Sequence, residues 1–143
     1  MDTQLQTKFK VYQVTLIFSI LFSLIGFSYN VWRMEVSEQN NTVRMASFEV
    51  LQSLSTLEQL IYTAHYDGDF QAGSPRKAWV LVGLINDLSV LTSVNVEQKA
   101  VMLHDVWSSN WDTIGSSDEA VERIVSSIES MRTEIKQQLK TLN

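Results

Sequence analysis

Cysteine is missing from this 143-residue chain, proline occurs once, and there are only five glycines. Without cysteine there is no disulfide framework and no thiolate metal site. So little punctuation favours long helices over many short strands joined by tight turns, and no stretch of useful length alternates apolar and polar residues as a strand would. The chain also lacks a glycine-rich phosphate loop, Ser-x-x-Lys, His-Glu-x-x-His and the nucleophile elbow. These are the commonest sequence routes to catalysis, so an enzyme is not expected, nor is a cofactor. The length suits one modest helical domain.

Charge is absent over residues 11–32, where 15 of the 22 residues are apolar. At 1.5 Å per helical residue this run spans about 33 Å, enough to cross a hydrocarbon core. Tyr12 at one end and Tyr29 and Trp32 at the other are interface anchors, bounded by Lys8, Lys10 and Arg33. The run is longer than the apolar part of a cleavable signal, and bulky residues follow Gly26 where a peptidase needs small ones. An uncleaved signal anchor is expected in the inner or plasma membrane, with residues 1–10 a short cytoplasmic tail and residues 33–143 periplasmic or extracellular. The tail carries a net charge of +1 and residues 33–143 carry −6. An acidic domain of that kind is a poor nucleic-acid ligand, and it lacks the dense basic face of a domain lying on anionic lipid.

Beyond the membrane segment four helices are predicted, over about 34–66, 75–92, 96–111 and 118–142. The first carries Val36, Val43, Val50, Leu57 and Ala64 at seven-residue intervals, with Leu54 and Ile61 as the partner row. It is expected to run on from the membrane segment and to end before Asp67-Gly68-Asp69. Ser74-Pro75 marks the next start, and Ala78, Leu81, Val82, Ile85, Leu88 and Leu91 form that helix's apolar face. Asn95 with Gln98 resembles a capping box for the third helix, whose expected face is Val101, Met102, Val106 and Trp107. Ser117 or Asp118 caps the fourth, in which Val121, Ile128, Ile135 and Leu142 again recur every seven residues. The fold class is therefore all-α: a single N-terminal transmembrane helix continuing into an antiparallel four-helix-type bundle. The first and last helices outlast the middle pair, which leaves a stalk face at Val36, Val43 and Val50 for another chain.

Three groups of residues are candidate sites. Thr15, Ser19, Ser23, Gly26 and Asn30 fall on one side of the membrane helix, a small-residue stripe on which a second helix can pack. Against this, Ser and Thr hydroxyls also bond back to their own helix. Core packing is the better reading of Trp79, Trp107 and Trp111, because a small bundle needs large apolar anchors, and a pocket among them for an apolar or cationic ligand is the alternative. His65, Asp67, Asp69, His104, Asp105 and Asp112 are the remaining candidates for a metal or acid/base cluster. No metal is expected, because turns account for the aspartates and Asp67-Gly68-Asp69 lacks the later glycine and glutamate of a calcium loop. Asn40-Asn41-Thr42 matches a glycosylation acceptor, but its helical position beside the membrane argues against use.

In outline the architecture resembles the sensing half of bacterial receptors in which a membrane helix leads into a helical bundle, with no residue motif behind the resemblance. Those receptors return through the membrane by a second helix, so a transducing role here would require a partner. The expected function is that of a membrane-anchored interaction protein, an accessory or regulatory subunit of a membrane complex or a homo-oligomer. The alternatives are an extracytoplasmic ligand-binding sensor and a phage-type or toxin-linked membrane inhibitor.

Overall fold

The computed structural model describes residues 2–142. Four helices account for most of it: α1 (Asp2–Tyr66), α2 (Pro75–Ser89), α3 (Val94–Asn110) and α4 (Asp118–Thr141), with no strand among the described residues. The protein is all-α, as the scarcity of glycine and proline suggests. The backbone falls into two compact units, Met1–Gln39 and Asn40–Asn143, and α1 contributes to both.

In the first unit α1 is already helical from Asp2, so helix extends through the described part of the segment expected to be a tail. Every side chain over residues 11–32 is exposed. This one helix is long and apolar enough to cross a membrane. Residues 33–39 belong with it, so the compact bundle starts at Asn40.

The second unit is built around the seven-residue pattern. Val50, Leu54, Leu57, Ile61 and Ala64 of α1 are fully buried, and they pack in one core with Ala78, Val82 and Ile85 of α2 and Val121, Ile124, Ile128, Met131 and Ile135 of α4. Periodicity of this kind makes one face of each helix apolar, and burying those faces together supplies most of the helices' stability. The chain leaves α1 through Gly68, whose φ of 65° is left-handed, while the Asp69 N–H donates to the Thr63 carbonyl at 3.2 Å. A residue without Cβ is the natural choice for that conformation. Gly73 then lies hard against α1, where a Cβ would come within 2.6 Å of both the Ala64 nitrogen and the Leu60 oxygen. That contact sets how closely the start of α2 approaches α1.

Two expectations about the middle helices need correction. α2 stops at Ser89 and not near residue 92, because the Ser89 and Thr92 hydroxyls turn back onto the Asn86 and Ser89 carbonyls, at 2.7 and 2.5 Å. Leu91 is consequently exposed and contributes nothing to the core. α3 is capped by Ser93, whose hydroxyl accepts from the Val96 N–H at 3.3 Å, and Asn95 lies inside the helix. The buried face of α3 is Val96, Ala100, Leu103 and Trp107, which leaves Val101 and Met102 exposed. The other caps agree with the sequence signals. Pro75 occupies the first turn of α2, though Ser74 makes no side-chain cap bond, and the Ser117 hydroxyl accepts from the Ala120 N–H at 3.2 Å.

Candidate functional site

On the membrane helix the small residues produce a shallow groove. Ser19 and Ser23 form its floor, between the larger Leu16, Ile20, Leu24 and Phe27. Thr15 donates its hydroxyl to the Val11 carbonyl at 2.9 Å, the self-satisfied arrangement a helix offers any threonine. Gly26 has no atom within 4 Å of where a Cβ would stand, and Asn30 is exposed. The five residues line one side of a helix with nothing packed on it among the described residues.

The three stalk valines are divided by the structure. Val36 is exposed and lies in the first unit, Val43 is half-buried, and Val50 is fully buried in the bundle core. Val50 is thus unavailable to a partner, because α4 packs to the end of its own helix alongside α1. The Arg44 guanidinium reaches the Leu142 carbonyl at 3.1 Å, closing the chain's end onto that region. The exposed apolar side chains of the bundle lie elsewhere. Met45 and Phe48 share one face of α1, 66% and 61% exposed. Val90, Leu91 and Val94 project from the turn between α2 and α3, at 63%, 50% and 68%. A stripe drawn through the valines overlooks Met45 and Phe48 because these two lie between its rows; their spacing of three was the available signal.

The tryptophans are likewise divided. Trp107 is a core residue with no exposed surface, and its indole nitrogen is buried without a hydrogen-bond partner. Trp79 is half-buried and meets three rings edge-on: Trp107, Trp111 and His104, at centroid distances of 6.1, 6.3 and 5.8 Å. Such arrangements place ring edges against the electron-rich faces of their neighbours. Trp79 and Trp111 also line an open cleft with Phe70, Pro75 and Arg76, which Trp107 does not reach. The expected trio therefore becomes one core anchor and two walls of a surface cleft.

Among the described residues, no three histidines and acidic residues gather as a metal site would require. Asp69 accepts from the Gln71 and Ala72 N–H groups, both at 2.9 Å, which is turn chemistry. His104 lies 3.6 Å from Asp105, its sequence neighbour. His65 bonds to the Ile114 carbonyl and to Asp118.

One polar cluster links the two long helices. Arg132 of α4 donates to Glu58 of α1 and to Glu129, and at 3.4 Å to the Ser55 hydroxyl. Glu58 also accepts from the Tyr62 phenol at 3.0 Å. The Arg132 and Glu58 side chains are only 15% and 19% exposed. Burial opposes the charge on Arg132, but its bonds to Glu58 and Glu129 outweigh that and raise its pKa above the ordinary guanidinium value. Burial first, and then donation to Glu58, raise the Tyr62 phenol. A guanidinium bonded to carboxylates on both helices fixes their register. Compared with known protein families, curated proteins and solved structures, the chain matches none.

Proposed function

We propose that this protein is a single-pass, membrane-anchored interaction protein, whose acidic helical bundle lies outside the cytoplasm and serves as an accessory or regulatory subunit of a membrane complex. The observation that carries this reading is the placement of large apolar side chains on the bundle's surface. Met45 and Phe48 on α1, and Val90, Leu91 and Val94 at the α2–α3 turn, are all at least half exposed. Large apolar side chains grouped on a domain's surface mark a place where another protein can bind. The groove of Ser19 and Ser23 offers a second contact, within the bilayer, for a partner's helix or a second copy.

The test is gentle extraction of the full-length protein and measurement of the mass of the particle that contains it. A complex larger than the monomer is expected, reduced by Met45→Glu with Phe48→Glu or by Ser19→Leu with Ser23→Leu. A monomeric particle for the unaltered protein would sink the proposal. The cleft at Trp79 and Trp111 supports a second reading, a small-ligand sensor. That reading requires a ligand that raises the melting temperature and changes tryptophan fluorescence, with both effects lost in Trp111→Ala.

A further inference from the structure

We propose that His65 and Asp118 form a proton-operated latch across one end of the bundle, closed when the imidazole carries protons on both nitrogens and released when it loses one. His65 lies in the last turn of α1 with its side chain only 8% exposed. Its Nδ1 is 2.6 Å from the Ile114 carbonyl oxygen, in the loop between α3 and α4. Its Nε2 is 2.9 Å from Asp118 Oδ1, in the first turn of α4. A carbonyl can only accept, and so can an ionised carboxylate; Asp118, 92% exposed, keeps its carboxylate hydrated.

A neutral imidazole has one N–H to give, so it satisfies one of these two oxygens and turns a lone pair toward the other. The imidazolium satisfies both. The surrounding backbone favours the same charge pattern, because a cation is stabilised in the last turn of a helix and an anion in the first. The charged group in contact with the ring is Asp118, and the Tyr66 ring meets it edge-on at 4.6 Å. The other ionisable groups at this end are Asp67 and Asp69 in the α1–α2 loop, Asp112 before α4, Glu119 beside Asp118, and Arg76 and Lys77 in α2. The two basic residues are exposed, and the acids outnumber them.

Loss of one proton leaves the ring a single bond to give. Retaining the buried contact to Ile114 leaves the Asp118 carboxylate facing a lone pair, so the polar tie between α1 and the start of α4 is lost while Val121 stays packed in the core. Ile114 is itself 2% exposed, so the loop it anchors is held by packing on one side and by this ring on the other. The bundle's end is then tighter with the doubly protonated ring and looser with the singly protonated one.

The test uses the full-length protein in detergent with 15N-labelled histidine rings; the chain has two histidines, so His104→Gln assigns the signals. The expected result is that the His65 ring passes from two nitrogen-bound protons to one as the pH is raised. Hydrogen exchange of the amides in residues 113–120, corrected for its intrinsic pH dependence, should quicken severalfold over the same change. Asp118→Asn should flatten that response, and at so exposed a position the substitution leaves the fold intact. A His65 ring that never carries both protons, or an exchange profile unchanged by Asp118→Asn, would overturn the proposal.

Discussion

Replacing glycine by alanine at two positions of the same helical hairpin should have opposite effects. At Gly73 an added Cβ would meet the Ala64 nitrogen at 2.5 Å, the Leu60 oxygen at 2.6 Å and the Ala64 Cα at 3.0 Å. All three are backbone atoms inside α1, so none can rotate aside; relief requires the turn that carries Gly73 to move off α1. Forced overpacking of this sort costs about 1–3 kcal/mol, occasionally more. For a domain the size of the bundle each kcal/mol moves the melting temperature by roughly 4–8 °C, so Gly73→Ala should lower it by roughly 5–20 °C. At Gly83, inside α2, a Cβ would meet nothing within 4 Å. There alanine only restricts the unfolded chain and favours helix, for a gain of about 0.5–1 kcal/mol. Thermal unfolding of the two full-length variants, followed by far-ultraviolet circular dichroism in one detergent, measures both. If Gly73→Ala melted at or above the unaltered protein, or if Gly83→Ala fell as far as Gly73→Ala, the close approach of Gly73 to α1 would be wrong.

Arg132→Ala strands the half-buried Glu58 carboxylate and should cost about 1–3 kcal/mol, whereas Glu129→Gln, at the exposed end of the cluster, should fall below about 1 kcal/mol in the same melts. Ser93→Ala removes a formed cap and should destabilise by about 1 kcal/mol; Ser74→Ala, where no cap bond exists, should be nearly silent. Trp107→Ala empties the largest buried site and should cost about 3–5 kcal/mol in a denaturant titration. Tyr62 should ionise later than a free phenol in an ultraviolet titration. Because its folded pKa is raised, its contribution to stability is complete below the ordinary value near 10 and is lost as pH climbs through the folded one. Tyr62→Phe should remove that alkaline component.

The core of the long helices was legible because seven-residue spacing states its own geometry: Val50, Leu57 and Ala64 of α1 and Val121, Ile128 and Ile135 of α4 are buried as their intervals require. α3 departs from the sequence expectation for a physical reason. Both Ser93 and Asn95 are acceptable caps, and large apolar residues draw attention away from Ala100, which the core accepts while Val101 and Met102 face outward. Packing settles a helix's rotation when local signals tie. The contacts that matter most at a distance left no local trace. His65 meets Asp118 across 53 residues, and Arg132 meets Glu58 across 74. Trp107 anchors the core, as a small bundle requires of a large aromatic residue, while Phe70 and Arg76, which carry no such signal, complete the cleft beside Trp79 and Trp111. The uncharged run at residues 11–32 needed only length and composition to be recognised.

The central claim is that this anchored bundle works by holding another protein, and site-directed photo-crosslinking in living cells tests it most directly. A photoreactive residue placed at Phe48 should give a discrete protein adduct, and one at the exposed, polar Thr133 of α4 should give none. Adducts at neither position, or equal and diffuse adducts at both, would contradict the account.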